Sequence, residues 1–356
     1  MKPLYMWAGG KNKMIPKYLE NPGIPYSGYD TYVEPFFGGG AMMIHIYENN
    51  PTVKHFVLND VNKELVGLYL AIRDHLDEFV LECDAYCTHY LALTDKDKRK
   101  AYYYEIRKKY ATDYHEWSAA KESATLYFLM KTAFNGIWQT TQWANGRFCT
   151  PSGLLNHKGS VYDKENVVEW HKFLQKVSIH SGQWDQCCDS VQGRAFYFFD
   201  PPYRDSFTQY GTSFDDTRHQ QLIDYCKTAD QAGHLVMYCN RDANDDFYTK
   251  NQGHLGIEYY DIKYTAGRRA TDVVSEDGQE DKTVRTAKSA KEVLLYSPAI
   301  KTMNCSKTAT KIEPPKTAPK VKPPKTAPKV KPPKTAPKVS PSKTVNIANP
   351  SLFSIK

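Results

Sequence analysis

The chain has 356 residues, of which 41% are hydrophobic and 13% are aromatic, so it can form a large packed core. No apolar run approaches the roughly 18 residues that a membrane-spanning helix needs, and no secretory leader opens the chain. The eight cysteines include no Cys-x-x-Cys pair and no matched spacing that would indicate a zinc site. We therefore expect a cytoplasmic protein with reduced cysteines, no metal and no membrane association.

The net charge of +7 is distributed unevenly along the chain. From Lys301 onward, thirteen lysines and a single acid, Glu313, give a charge of +12, which leaves −5 on residues 1–300. The globular part is therefore mildly acidic, and any contact with nucleic acid there must depend on local basic residues.

The first motif in chain order is Trp7-Ala8-Gly9-Gly10-Lys11. Its paired glycines permit positive φ angles and a close approach of the backbone to a ligand, with the Lys11 ammonium beside them. The motif does not match a phosphate-binding loop, which needs a longer glycine spacing followed by Ser or Thr. A flexible N-terminal turn is the alternative interpretation.

A strand, a glycine-rich turn and the start of a helix follow at residues 32–43, with the sequence Tyr-Val-Glu-Pro-Phe-Phe-Gly-Gly-Gly-Ala-Met-Met. Such glycines allow a ligand to lie against bare backbone at a helix N-terminus. A second strand at 56–58 then ends in Asn59-Asp60, and an acid at this position binds ribose hydroxyls in nucleoside-binding α/β folds. Asp60 as the N-cap of a helix over residues 61–72 is the alternative.

Residues 72–133 are predicted to be mainly helical, because apolar and aromatic positions recur at three- and four-residue spacing. The pattern changes at 131–148, where Asn145-Gly146 is a strong signal for a β-hairpin. The segment carries Trp138, Gln139 and Arg147, residue types that stack on rings, bind base edges or contact phosphates. It therefore predicts a DNA-binding ribbon, with a plain surface hairpin as the alternative.

The motif around which the rest is organised is an aromatic strand at 195–199 followed by Asp200-Pro201-Pro202-Tyr203. Bulky apolar residues suit a strand covered on both faces, and the prolines end it because they lack an N–H donor. The Asp200 carboxylate and the Pro201 carbonyl can then accept both hydrogens of an exocyclic amine, while Tyr203 stacks on the ring. A proline turn with Asp200 as a helix N-cap is the alternative.

The remaining pattern predicts a loop at 204–214, a helix at 219–232, strands at 235–240, 258–264 and 292–296, and a polar loop at 266–290. The tail contains a nine-residue repeat, Pro-Pro-Lys-Thr-Ala-Pro-Lys-Val-Lys, at 314–322 and 323–331 and, with a terminal Ser, at 332–340. We expect an extended, disordered arm that holds DNA phosphates without sequence preference. The apolar residues at 350–355 suggest a short motif for a protein partner such as a sliding clamp.

Together these stretches resemble the Dam-type DNA adenine N6-methyltransferases (D12 class, α-group) over residues 4–297. The shared order is a Trp-Ala-Gly-Gly-Lys opening, a Glu-Pro-Phe-x-Gly-x-Gly loop, an acid ending the second strand, a target-recognition insert and Asp-Pro-Pro-Tyr. The resemblance implies a Rossmann-like α/β fold with a doubly wound sheet and an antiparallel last strand. It further implies a catalytic domain of residues 1–70 and 186–300, a helical target-recognition insert of 71–185 containing a β-hairpin, and a disordered tail of 301–356.

The resemblance also implies S-adenosyl-L-methionine as the methyl donor and roles for individual residues. Cofactor contacts are expected from the opening motif, from the glycine turn and from Asp60, and Tyr203 is expected against a flipped adenine. Residues 134–138 match the family's Asn-Gly recognition segment. The candidates are, for catalysis, Asp200, Pro201, Pro202 and Tyr203; for the cofactor, Trp7, Gly10, Lys11, Glu34, Phe36, Gly38, Gly40, Asp60 and Asp200; and for DNA, Asn135, Gly136, Trp138, Gln139 and Arg147.

The implied reaction is transfer of a methyl group to an adenine flipped out of double-stranded DNA. Two departures from the family argue against GATC as the target: Met6 stands where GATC-reading members commonly have Lys, and Gln139 where they have Arg. Both changes remove a guanine-reading cation. The alternative functions are methylation of RNA or of a protein glutamine, and a DNA-binding protein that has lost catalysis on the same scaffold.

Overall fold

Strands and helices alternate along the chain in a computed structural model that describes residues 1–153, 155–188, 191, 193–204, 214–264 and 288–305. The strands are β1 (Thr31–Glu34), β2 (His55–Asp60), β3 (Val177–Ser181), β4 (Ala195–Phe199), β5 (Leu235–Arg241), β6 (Gly256–Tyr264) and β7 (Lys288–Tyr296). The α-helices are α1 (Ile15–Glu20), α2 (Ala41–Asn49), α3 (Lys63–Asp74), α4 (Leu76–Ala92), α5 (Lys96–Thr112), α6 (Ala119–Thr132), α7 (Lys164–Leu174), α8 (Trp184–Cys188), α9 (Asp216–Gln231), α10 (Phe247–Asn251) and α11 (Pro298–Cys305). The described residues lie within one compact unit that spans Met1–Lys311.

The strands of the described ranges form a single sheet in the order β3-β2-β1-β4-β5-β7-β6. β1 to β5 pair in parallel, whereas β7 is antiparallel to both of its neighbours, β5 and β6. This arrangement confirms the predicted α/β sheet with its antiparallel last strand. Because the strand order reverses between β1 and β4, the carboxyl ends of these two strands form the topological switch point, where open α/β sheets bind their ligands.

The central strand β4 is buried along its whole length, as its aromatic sequence predicts. Phe196 and Phe198 belong to an apolar cluster with residues of α2, α3 and α7, whereas Tyr197 and Phe199 belong to a second cluster with residues of α8 and α9. Successive side chains of a strand point to opposite faces of the sheet. The alternation therefore places one layer of helices on each face.

The long helical stretch predicted over residues 72–133 consists of α4, α5 and α6. Helix α6 packs against α3, α4 and α5, and every residue from position 123 to 130 is buried. Asp95 and Ser118 cap the N-termini of α5 and α6 by accepting backbone N–H groups with their side chains. The helical prediction for this part of the chain is confirmed.

The turn at Asn145-Gly146 has the positive φ angles that the sequence predicts, 53° and 74°. Its two arms, however, meet through one antiparallel bridge between Thr140 and Phe148 rather than through a longer ladder. The short 3-10 helix Gln142–Ala144 occupies the arm before the turn. The hairpin is therefore short, and Ala144 and Phe148 are buried whereas Trp143 is 52% exposed.

Several boundaries differ from the predicted ones. Helix α3 begins at Lys63, and its N-cap is Asn62 rather than Asp60, because the Asn62 side chain accepts the first free N–H groups. Strand β7 begins at Lys288, inside the predicted loop of 266–290, and α11 occupies the predicted start of the tail at residues 301–305. The elements α1, β3, α7, α8 and α10 were not predicted.

Some predictions fall outside the described residues: most of the loops at 204–214 and 266–290, the repeats at 314–340 and the apolar motif at 350–355. In the described part of the chain, no helix has the length and apolar character needed to cross a bilayer.

We predict that Phe196→Ala lowers the free energy of unfolding by about 3–5 kcal/mol, because a fully buried aromatic ring would leave a cavity. The ring packs against Tyr29 and Tyr32, with centroids 5.4 and 5.7 Å away. Leu81→Ala is the control, since Leu81 is 69% exposed on α4 and its removal should change stability by no more than about 0.5 kcal/mol. Urea unfolding measures both values, and equal effects of the two substitutions would contradict the assignment of Phe196 to the core.

Candidate active site

The turn after β1 contains three glycines, and two of them, Gly38 and Gly39, pack against Trp7. Gly38 and Gly40 have φ angles of 48° and 66°, a left-handed conformation that favours glycine. A Cβ atom on Gly38 would lie 2.7 Å from Trp7 Nε1, and one on Gly39 would lie 2.9 Å from Trp7 Cβ. The glycines therefore admit the indole ring, and this contact brings the N-terminal motif to the carboxyl edge of the sheet.

Asp60 joins the ends of β1 and β2. Its Oδ2 accepts the Gly38 N–H and its Oδ1 accepts the Asn62 N–H, both at 2.9 Å. Burial raises the pKa of the Asp60 carboxyl, and these two N–H groups oppose the shift. A cavity beside it is lined by Phe37, Leu58, Tyr69 and Ile179, among others. Each carboxylate oxygen has a further lone pair, so Asp60 can also accept a ligand hydroxyl.

Glu34 and Phe36 flank the start of the same turn. Glu34 is buried, and its Oε2 accepts the Tyr32 hydroxyl at 2.8 Å. Burial raises the pKa of Glu34 well above its ordinary value, although the hydrogen bond from Tyr32 opposes this. Phe36 is half-buried, and its ring packs edge-on against that of Phe214, with 5.6 Å between the ring centroids. Glu34 therefore has a protein partner in this structure, whereas Phe36 remains partly open.

Lys11 is buried at the start of the 3-10 helix Lys11–Lys13, not in a flexible turn. Its Nζ donates to Asp200 Oδ1 at 2.7 Å and to the Tyr203 hydroxyl at 3.4 Å. Desolvation lowers the pKa of Lys11, but the attraction of Asp200 and its neighbours outweighs this and raises the pKa well above the ordinary value. Lys11 therefore stays charged and forms a largely buried ion pair with Asp200.

Glu292 and Tyr18, which the sequence reasoning missed, complete this buried group. Glu292 Oε1 in β7 lies 3.6 Å from Lys11 Nζ and accepts the Tyr18 hydroxyl at 2.5 Å. Burial raises the pKa of Glu292, and the Lys11 ammonium opposes that rise. An acid inside the apolar strand sequence Glu-Val-Leu-Leu is the signal that could have found Glu292.

The turn after β4 presents an acid, two proline carbonyls and an aromatic ring at the switch point. The Asp200 side chain is 22% exposed, so one side of it is open. The Tyr203 ring has Lys11 Nζ at 5.2 Å and the Arg241 guanidinium carbon at 5.8 Å from its centroid. Asn240, at the end of β5, also contacts this turn and was missed, although it is a polar residue directly after the apolar run of β5.

The predicted recognition segment lies against the N-terminal motif. Ala8 N donates to Gly136 O at 3.1 Å, and a Cβ atom on Gly136 would lie 2.4 Å from Met6 O. Asn135 is exposed and has a φ of 52°, while Gln139 is half-buried. The structure therefore brings Met6, Asn135 and Gly136 together beside the site.

Trp138 and Arg147 have protein partners that their residue types alone did not indicate. Trp138 is 6% exposed, with its ring centroid 6.0 Å from Trp7 and 5.0 Å from Phe148. Arg147 binds Glu122 at 2.5 Å, with only 11% of its side chain exposed. In this structure these two side chains stabilise the recognition segment from inside.

Among the residues that the structure describes, no group of three His, Cys, Asp or Glu side chains is placed to hold a metal ion. The groups that do converge are hydrogen-bond acceptors and aromatic rings around one buried ammonium. Such a set suits a planar, amine-bearing ring next to a second ligand with hydroxyl groups.

Comparison with known proteins agrees with this chemistry. The chain is 29% identical over 277 residues to the Type II methyltransferase M.MjaIII of Methanocaldococcus jannaschii, covering 76% of this chain and 92% of that protein. It is 29% identical over 278 residues to the Type II methyltransferase M.CviBI of Paramecium bursaria Chlorella virus NC1A, covering 75% and 94%. It is 23% identical over 256 residues to the DNA adenine methylase of Haemophilus influenzae, covering 68% and 80%.

The family model described as D12 class N6 adenine-specific DNA methyltransferase matches residues 7–263. This range includes the glycine turn, Asp60, the recognition segment and the Asp-Pro-Pro-Tyr turn. The chain therefore belongs to the D12 class of N6 adenine-specific DNA methyltransferases.

Proposed function

We propose that this DNA adenine methyltransferase uses S-adenosyl-L-methionine and modifies the N6 amine of an adenine flipped out of double-stranded DNA, with the residue roles given below. One observation supports these roles: at the switch point, the glycine turn and Asp60 lie next to the turn from Asp200 to Tyr203. Donor and acceptor must lie side by side for a direct transfer, and polar groups suited to both meet at this edge.

The residues present fit the proposed methyl donor. Asp60 retains lone pairs for ribose hydroxyls, and Gly38 and Gly40, which have left-handed φ angles, place no side chain at the N-terminus of α2. When bound, S-adenosyl-L-methionine supplies an electrophilic methyl carbon on a positively charged sulfur. We propose that Asp60 binds the ribose and that the remaining contacts come from Trp7, Gly10, Lys11, Glu34, Phe36, Gly38, Gly40 and Asp200.

The residues of the Asp-Pro-Pro-Tyr turn act on the adenine. Asp200 and the Pro201 carbonyl accept the two N6 hydrogens. These hydrogen bonds polarise the N–H bonds and increase the electron density on N6 for in-line attack. Tyr203 stacks on the extruded ring, and Pro202 keeps the turn rigid. The ion pair with Lys11 holds the Asp200 carboxylate in place as an acceptor. The extra proton leaves the nitrogen after transfer, so no strong base is required.

We propose that DNA is read by the exposed side of the recognition segment. Asn135, Gly136 and Gln139 face the DNA, while Trp138 and Arg147 hold them in position through their partners inside the protein. Met6, which is 68% exposed and touches Gly136, contributes an apolar side chain at this surface. The lysine-rich tail supplies phosphate contacts without sequence preference, and its apolar end is available to a protein partner.

We predict that Asp200→Ala reduces methyl transfer by about 10²–10³-fold, because a preorganised acceptor of the reacting amine is lost. Incorporation of a tritiated methyl group into DNA measures the rate, and circular dichroism checks the fold. Asp200→Asn, of equal volume, separates loss of the charge from loss of the side chain, and Asp77→Ala on the exposed start of α4 is the control. Activity near the wild-type level in Asp200→Ala would refute the role.

We predict that Asp60→Ala raises the dissociation constant of S-adenosyl-L-methionine by about 10–100-fold, since a hydrogen bond to a charged group contributes about 1.5–3 kcal/mol. Isothermal titration calorimetry without DNA measures this independently of activity. Asp30→Ala is the matched control, because Asp30 precedes β1 at the opposite edge of the sheet and is half-buried like Asp60. Equal affinities for Asp60→Ala and the wild type would exclude Asp60 from the donor site.

We predict that the protein methylates adenine in a short motif other than GATC, because Met6 and Gln139 offer no guanine-reading cation. Single-molecule sequencing of DNA from a host without its own adenine methylation reports the modified base and its motif together. Cells expressing Asp200→Ala provide the background. Methylation confined to GATC would contradict the proposed role of these two positions.

A further inference from the structure

The pairing of β4 with β5 stops where the prolines begin. The last paired residues are Phe199 and Tyr238, so a continued parallel register would place Asn240 opposite Pro201. Neither Pro201 nor Pro202 has an N–H group, and the ladder cannot continue through them. Their carbonyls nevertheless need hydrogen-bond partners, because an unpaired buried carbonyl costs free energy.

The Asn240 side chain supplies these partners. Its Nδ2 donates to Pro201 O and to Pro202 O, both at 3.3 Å, and its Oδ1 accepts the Arg204 N–H at 3.2 Å. Asn240 is fully buried, and both the donor and the acceptor of its side-chain amide are hydrogen-bonded to the backbone of residues 201–204. This stretch contains the Pro201 carbonyl, a proposed acceptor of the target amine. A side-chain amide thus replaces the interrupted ladder.

The platform that holds this amide is rigid. The Asn240 backbone pairs with Val293 of β7, so β5 is fixed on one side by β4 and on the other by β7. The neighbouring Cys239 thiol donates to Phe199 O at 3.4 Å and secures the end of β4 as well. Movement of the Pro201 carbonyl is therefore opposed by a side chain that is fully buried and carried on a strand paired on both sides.

We propose that Asn240 is a positioning residue for methyl transfer: its amide orients the Pro201 carbonyl so that the second lone pair of that oxygen points at the N6 amine of the target adenine. A carbonyl oxygen accepts two hydrogen bonds, so the bond from Asn240 leaves one position for the substrate. The inference rests on the proposed function of Asp200 and Pro201 as acceptors of the amine, and it assigns the orientation of one of them to a residue that does not touch the substrate.

The test compares single-turnover methyl transfer by wild type, Asn240→Ala, Asn240→Asp and Asn240→Ser at saturating S-adenosyl-L-methionine and DNA. We expect Asn240→Ala to slow the step by about 10–100-fold, because a small displacement of a reacting group costs up to about 100-fold in rate. Asn240→Asp should be at least as slow, since it keeps the volume but turns an oxygen towards the two carbonyls. Asn240→Ser should recover part of the rate, because its hydroxyl can donate to one carbonyl.

A positioning role predicts a pattern that a purely structural role would not give. In the Asn240 variants, the dissociation constants for the methyl donor and for DNA should change by less than threefold, and 2-aminopurine fluorescence at the target position should still report base flipping. Asn50→Ala is the matched control. Asn50 is 2% exposed, and its side-chain amide donates to the Tyr29 hydroxyl at 3.0 Å. Tyr29 precedes β1 and Asn50 precedes β2, so this bond lies at the amino ends of the two strands. It should lower the melting temperature without changing the rate.

The outcomes separate this inference from the proposed function. If Asp200→Ala is inactive and either Asn240→Ala or Asn240→Asp transfers methyl groups at the wild-type rate, the role of Asn240 is overturned while that of Asp200 stands. If Asp200→Ala remains active, the proposed function itself fails. If Asn240→Ala does not fold, Asn240→Asp and Asn240→Ser decide the result by the same criterion.

Discussion

The largely buried ion pair between Lys11 and Asp200 is the interaction on which the site depends. It joins two residues that are 189 positions apart, at 2.7 Å, and it fixes the N-terminal motif against the end of β4. Burying two charges requires close pairing and further hydrogen bonds, because desolvation is costly. Glu292, Tyr203 and Tyr18 provide this second layer of contacts. With Lys11 enclosed and Asp200 partly open, the carboxylate is held by the ammonium yet accessible from one side.

The position of this pair follows from the sheet. The strand order reverses between β1 and β4, and the glycine turn and the Asp-Pro-Pro-Tyr turn both follow these strands at their carboxyl ends, where open α/β sheets bind ligands. Glycines allow Trp7 to approach the turn after β1, while prolines prevent the β4–β5 ladder from continuing through the turn after β4. Asn240 then satisfies the carbonyls that the prolines leave unpaired. The same residues that end the sheet therefore create the polar edge that we propose for the adenine chemistry.

Much of this was predictable from local sequence. The strand at 195–199 is apolar throughout, and the positive φ angles at Asn145-Gly146 follow from residue type. By contrast, β3 has the mixed sequence Val-Ser-Ile-His-Ser of an edge strand, which gives a weak signal. The partners of Lys11 and Arg147 come from distant parts of the chain. The local sequence, a glycine before Lys11 and a hairpin around Arg147, therefore did not indicate that these side chains are buried. Long-range pairing, rather than propensity, decided these cases.

The recognition segment and the catalytic edge share one packing unit, because Trp7 contacts both the glycine turn and Trp138. The DNA contacts that we propose for residues 134–139 would thus be coupled directly to the N-terminal motif that carries Lys11. Specificity and chemistry are therefore expected to respond together to changes in this unit.

The most direct test of the central claim is a crystal structure with an unreactive analogue of S-adenosyl-L-methionine and target DNA. We expect the adenine N6 within about 2.7–3.2 Å of both the Asp200 carboxylate and the Pro201 carbonyl, with the Lys11–Asp200 pair intact. An extruded adenine whose N6 contacts neither group, or an analogue bound away from Trp7 and Asp60, would contradict the account.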